Sequence, residues 1–152
     1  MDVHSKKIRS YNMSCIKSKN TKPEELVRKY LFSKGLRYRK NVKVLPGCPD
    51  IVLPKYKTVV FINGCFWHVH NNCPYFKWPA SQEEFWHDKL SKNQERDIRN
   101  IALLTRMGWK VVVIWQCELK NPETRLTKLI AEIKSNLITE SPKNGAVSLL
   151  LY

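Results

Sequence analysis

Ten residues near the middle of the chain, Gly64-Cys65-Phe66-Trp67-His68-Val69-His70-Asn71-Asn72-Cys73, restrict its fold more than any other stretch. They hold two thiols, two imidazoles and two large aromatics. Thiolate and imidazole are the protein ligands zinc prefers, and a metal bound here would tie the segment into a rigid loop. Phe66 and Trp67 stand side by side among polar residues, where burial in a core rarely accounts for both. The segment reads as a metal-tied platform that presents aromatic rings outward. Cys65, His70 and Cys73 form a C-x4-H-x2-C pattern, which needs a fourth ligand to close a tetrahedral site. Cys117, just past an apolar strand, is the natural candidate. His68 is then left for other chemistry. Ordinary buried cysteines beside exposed histidines are the alternative that spacing alone leaves open. Cys15 in a basic segment and Cys48 between Gly47 and Pro49 read as bystanders.

The rest of the composition narrows what the platform could face. The chain has 152 residues, enough for one domain with a sizeable core, and 43% are apolar, which argues against global disorder. Lys and Arg total 27 against 13 Asp and Glu, a net charge of +14. Such an excess calls for a polyanionic partner, with nucleic acid first and a membrane surface second. No run approaches the ~18 apolar residues of a spanning helix, and the first residues carry no apolar signal core. A cytoplasmic location, associated with the nucleoid, is therefore expected. In that compartment five cysteines favour metal binding or free thiols over disulfides.

Along the chain, residues 1 to 20 form a polar, basic arm, expected to be partly helical and to contact the partner. Residues 21 to 138 carry the main domain, and 139 to 152 a loose tail. Thr21-Lys22-Pro23-Glu24 has the marks of a helix start: a Thr cap, an early Pro, and Glu three residues after the cap. Leu26, Val27, Tyr30 and Leu31 follow at helical spacing until Gly35. Two short β-rich runs come next, 50 to 53 and 58 to 62, consistent with central strands. The cysteine-rich segment leaves the end of the second. Residues 82 to 107 lack Pro and Gly and read as one long helix, 109 to 115 as a third strand, and 122 to 137 as an amphipathic helix. That order predicts an α/β fold, a mixed β-sheet flanked by helices. In an antiparallel hairpin, Asp50 would lie beside the cysteine segment.

Several local patterns together resemble the very short patch repair (Vsr) mismatch endonucleases. They are Asp2-Val3-His4, Arg9-Ser10 with Asn12-Met13, Thr21 to Glu24, Leu45-Pro46-Gly47 before Pro49-Asp50, and Phe61. Gly64 to His68, Glu84-Phe85-Trp86, Lys92-Asn93, Glu95-Arg96-Asp97, Gly108-Trp109, and Trp115 with Cys117 complete the series. The resemblance spans about residues 2 to 120 in order. It implies a restriction-endonuclease-like core with a structural zinc. It also implies a magnesium-dependent enzyme that nicks double-stranded DNA 5′ of the mispaired thymine in a T·G pair. The family's catalytic aspartate falls on Asp50, its key histidine on His68, and its supporting carboxylates on Glu24 and Asp97. Its zinc ligands fall on Cys65, His70, Cys73 and Cys117, and its DNA wedge on Met13, Phe66 and Trp67. A functional link to a cytosine DNA methyltransferase and to mismatch repair proteins comes with the same resemblance. Three positions depart from the pattern: Asn63 stands where a histidine is common, one residue is inserted between His70 and Cys73, and Gln116 replaces a frequent glutamate.

The residues themselves support this chemistry unevenly. Phosphodiester hydrolysis needs an activated water and charge neutralisation, which magnesium supplies when held by oxygen ligands. Asp50 and the backbone carbonyl of Ile62 are the expected protein ligands. Taken alone, Pro49-Asp50 is a turn pair. His68 suits a general base because imidazole titrates near neutrality, and Asp97 can orient it. Alternatively, Asp97 forms a surface ion pair with Arg96 or Arg99, and Glu24 only a capping box. Lys17, Lys19, Lys92, Arg96 and Asn63 are the expected DNA contacts beside the wedge. The rival readings are a nicking or restriction-type endonuclease with another target, and a zinc-stabilised DNA-binding module without catalysis. A monomer is the default, because one strand is to be cut.

Overall fold

The computed structural model describes residues 4–16 and 18–138, so Lys17 and the expected tail at 139–152 lie outside the described residues. Helix α1, Lys6–Ser14, is capped by the Ser5 side chain and buries none of its residues. Helix α2, Lys22–Ser33, begins as its sequence dictates. Thr21 Oγ1 accepts the Glu24 amide at 3.5 Å, and Pro23 occupies the first turn, where its missing N–H costs nothing. Val27 and Leu31 on its inner face are fully buried.

Four strands follow: β1, Arg39–Lys40; β2, Ile51–Leu53; β3, Thr58–Asn63; and β4, Lys110–Trp115. They stand in the order β1-β2-β3-β4, the first two pairings antiparallel and β3–β4 parallel. The sheet is therefore mixed. A parallel neighbour requires a long crossover, and between the end of β3 and the start of β4 the 24-residue helix α3, Glu83–Arg106, makes the return. Gly108 (φ 87°) adopts a left-handed conformation between α3 and β4 that a β-carbon would strain. β4 begins at Lys110, one residue later than the sequence suggests. Trp109 instead packs beneath the sheet, and the Lys57 ammonium lies 4.2 Å from its ring centroid. Strand β1 was not legible in the sequence, because two exposed basic residues carry no alternation.

Alternate side chains of the central strands feed two cores. Ile51, Leu53, Val60, Val112 and Ile114 join Val27 and Leu31 of α2 and Leu126, Leu129 and Ile133 of helix α4, Pro122–Ile138. Val52 and Val59 face the other way, toward Leu104 of α3, with Phe61 and Trp109 beside them. Burial on both faces explains why these strands read as continuous apolar runs. Three layers result, with β3 central, and its C-terminal end delivers the chain into the Cys65–Cys73 loop. Among the described residues no helix is long and apolar enough to cross a membrane.

Candidate active site and metal cluster

Asp50 lies just before β2, and its Oδ2 accepts the backbone N–H of Ile62 at 2.7 Å. Extending the β2–β3 register by two residues sets Pro49 opposite Ile62. Proline has no N–H to donate, so the ladder offers nothing to the Ile62 carbonyl there. In an extended strand the N–H and C=O of one residue point to the same side, so this carbonyl faces the Asp50 side. The sequence motif Pro-Asp thus ends a strand pairing and leaves carboxylate and carbonyl oxygens at its edge.

Burial pushes the Asp50 carboxyl up to about 6; the Ile62 amide works against this, the nearby Glu24 carboxylate adds to it, and the charges of Arg28 and His68 lower it. Two carboxylates and a carbonyl suit a hard divalent cation, which would also relieve the cost of ionising Asp50. Glu24 is buried and acts in the helix cap, accepting from the Thr21 hydroxyl at 3.2 Å and the Asn20 backbone N–H at 2.8 Å. His68 and Asp97 meet through Nδ1 and Oδ2 at 2.5 Å. Arg96 lies 3.9 Å from the other Asp97 oxygen, so the surface ion pair coexists with the histidine contact. Asn93, one turn before Asp97 on α3, donates to the Trp67 carbonyl at 3.2 Å and ties the aromatic loop to the helix.

A cleft of about 730 Å³ gathers Met13, Glu24, Ile62, Asn63, Trp67 and His68 along its walls. Met13 is half exposed on α1. Phe66 and Trp67 are half-buried and meet edge to face, with centroids 5.0 Å apart. Trp86 backs both, at 5.4 Å and 6.1 Å. Lys19 is exposed, whereas Lys92 is paired with Asp88 at 2.9 Å on the outer face of α3.

Cys65, His70, Cys73 and Cys117 place their ligand atoms within 4.8 Å of one another. Val69, with φ 52°, makes the turn that sends His68 to Asp97 and His70 to Cys117. A left-handed β-branched residue costs about 1–3 kcal/mol and persists only where its surroundings hold it. Asn72, also left-handed at φ 58°, turns the chain just before Cys73. His70 stacks on Trp115 at 4.1 Å and 2°, a brace the sequence did not reveal. Burial raises the Cys65 thiol, and burial with the two neighbouring sulfurs pushes Cys117 up to about 12. At Cys73 burial also opposes ionisation, but the amides of Tyr75 and Phe76 and the neighbouring thiols outweigh it. Three crowded thiols resist joint ionisation without a cation, and a three-sulfur, one-nitrogen set fits zinc.

Arg28 escaped the sequence reading. It is buried, and its guanidinium contacts Glu24 and the Asp50 carbonyl, both at 3.2 Å. A charged residue sharing the buried stripe with Glu24, Val27 and Leu31 was the available signal.

A mixed sheet between helices, with acidic residues at a strand end and an open cleft beside them, defines a restriction-endonuclease-like α/β fold. The family described as "DNA mismatch endonuclease Vsr" matches residues 1–74. The type II nicking enzyme V.NmeAIP of Neisseria meningitidis is 54% identical over 136 residues, 88% of this chain and 96% of that protein. The DNA mismatch endonuclease Vsr of Escherichia coli is 42% identical over 131 residues, 86% of this chain and 83% of its own. The type II nicking enzyme V.XorIIP of Xanthomonas oryzae is 47% identical over 113 residues, covering 74% and 82%. The chain belongs to the Vsr family of DNA endonucleases.

Proposed function

We propose that the chain nicks double-stranded DNA on the 5′ side of the mispaired thymine in a T·G pair. The gathering of Glu24, Ile62 and His68 in one cleft with Met13 and Trp67 supports this reading. Asp50 and the Ile62 carbonyl would hold Mg2+, and Glu24 would orient a water at the same site. When bound, the cation activates water and neutralises charge on the phosphate. His68 takes the proton of the attacking water at Nε2, because Asp97 engages Nδ1 and leaves the other nitrogen free to accept. Asn63 presents a neutral amide where a histidine is common, so among the described residues on the cleft wall the imidazole is that of His68.

Cys65, His70, Cys73 and Cys117 would hold Zn2+ and so brace the loop carrying Phe66, Trp67 and His68. Phe66 and Trp67 enter the base stack from one side and Met13 from the other. Unstacking costs a few kcal/mol per step, and a mispair lowers that cost because its pairing is already weak. Residues 1–20 form the arm that carries Met13 and Lys19 to the DNA, with Lys17 on the same segment; Lys92 and Arg96 approach phosphates from α3. Residues 21–138 are the endonuclease domain. A monomer suffices for one cut.

The test is an end-labelled duplex with a single T·G mismatch beside its matched control, incubated with protein and magnesium. A nick in the thymine strand of the mismatched duplex alone is expected. Equal cutting of both duplexes would favour a nicking enzyme with another target; the names of two relatives say nicking enzyme. Binding without cutting would leave a DNA-binding module.

A further inference from the structure

We propose that Arg28 is a positioning residue that joins the N-terminal arm to Asp50. Its planar guanidinium reaches three separate parts of the fold. Nη1 donates to the Asn20 side chain at 2.8 Å, at the junction of arm and α2. Nη2 donates to Glu24 Oε2 at 3.2 Å and to the main-chain carbonyl of Asp50 at 3.2 Å. The same carbonyl accepts the Asn41 amide at 3.3 Å. Two donors on one carbonyl restrain the peptide plane after Asp50 and so the position of its Cα, while the Ile62 N–H holds the carboxylate itself at 2.7 Å.

Burying an arginine is costly, and an apolar side chain of similar size would serve the core as well or better. Here the cost is not fully offset even by the contacts made, since Nε is buried without a partner. The rigid fork of arginine, unlike the point charge of lysine, can hold all three acceptors at fixed angles. Asn20 is the outer end of the link. It is exposed, its φ of 53° is left-handed, and Ser18 and Thr21 on either side line the cleft with Met13. A displacement of the arm when Met13 meets DNA pulls on the Asn20 amide, and Arg28 passes it to the Asp50 peptide. Catalytic alignment then depends on correct seating of the arm.

This inference rests on the reading of Asp50 as the cation-holding carboxylate, and the experiment separates the two. Asn20→Gly keeps the left-handed backbone and removes only the amide. Arg28→Lys keeps a cation beside Glu24 and loses the fork. Single-turnover nicking, DNA affinity without magnesium, melting temperature and trypsin cleavage of the arm in the DNA complex are measured for each variant and the pair. Asn20→Gly is expected to slow nicking ~3- to 10-fold, and Arg28→Lys ~10-fold or more, with affinity within about twofold. Both should speed cleavage of the arm, and the double variant should be no slower at nicking than Arg28→Lys alone. Wild-type nicking by either single variant, additive losses in the pair, or unchanged protection of the arm overturns the proposal. If Arg28→Lys does not fold, Asn20→Gly decides alone. Asp50→Ala is the control: if it nicks normally the reading of Asp50 falls, whereas if it is inactive and the losses are additive only the role of Arg28 falls.

Discussion

His68 Nδ1 lies 2.5 Å from Asp97 Oδ2, although 29 residues separate them. The loop after β3 supplies the imidazole and the middle of α3 supplies the carboxylate. Against an ionised carboxylate, the tautomer with the proton on Nδ1 suits this contact, and Nε2 would then be able to accept one.

Asp97→Asn keeps the size but can turn its amide N–H toward Nδ1, which favours the wrong tautomer. Nicking of a T·G duplex is expected to fall by about 10²–10⁴-fold in a single-turnover assay. Affinity measured by fluorescence anisotropy should stay within a few-fold of the parent. A matching loss of affinity would place Asp97 in DNA binding instead.

Asp50→Asn should exchange activity for stability. Burial raises the folded carboxyl to about 6 from an ordinary 3.8, so the folded chain holds its proton more tightly than the unfolded chain. The associated stability is present below 3.8, declines as pH rises toward 6, and is gone above it. The neutral amide escapes that loss. Without magnesium, urea unfolding at pH 8 should show Asp50→Asn more stable by about 1–3 kcal/mol, with no gain at pH 3.5. An equal gain at both values would assign the effect to packing.

The protein is expected to hold about one equivalent of zinc, measured by elemental analysis. Cys117→Ser should lose most of it. Prolonged chelation should unfold the region around Cys65–Cys73 and abolish cooperative melting, since metal binding and folding are one equilibrium at such sites. Unchanged melting after complete removal of zinc would dismiss the four-ligand site.

Trp67→Ala should weaken binding to a T·G duplex by about 1–3 kcal/mol, the usual worth of one base–aromatic stack. Matched duplex should bind almost as before, because its bases stay stacked. Equal weakening on both would show that Trp67 supports the fold, through Phe66 and Trp86, rather than the mismatch.

Lys19→Ala and Lys92→Ala should each flatten the dependence of log affinity on log salt by about 0.9 if each contacts one phosphate. For Lys92 this requires the exposed pair with Asp88 to yield, which costs little at a surface. An unchanged slope removes the residue from the interface.

The helix start at Thr21 and the apolar strands around Val52, Val60 and Val112 were legible because each depends on neighbours in sequence. Capping involves residues three apart, and burial on both faces leaves an unbroken apolar run. Much of the candidate site was nameable in advance for a similar reason: Gly64–His68 and Pro49-Asp50 are compact motifs, and the family resemblance gave them roles. Arg28 was missed because a helical arginine usually snorkels to solvent, and only the packing of α2 against the start of β2 buries it. The Trp115–His70 stack was hidden because it joins the end of β4 to the loop after β3.

Taken by itself, the chain of residues determined its helices, its central strands, its basic character and a compact run of thiols and imidazoles of the kind that can ligate a metal, all properties of local spacing and composition. Tertiary structure alone decided that β4 pairs parallel with β3, that His68 meets Asp97 while His70 meets Cys117, and that one guanidinium spans the arm, Glu24 and Asp50. Those contacts join residues far apart in sequence. Their partners are selected by how sheet and helices pack, which no local pattern encodes.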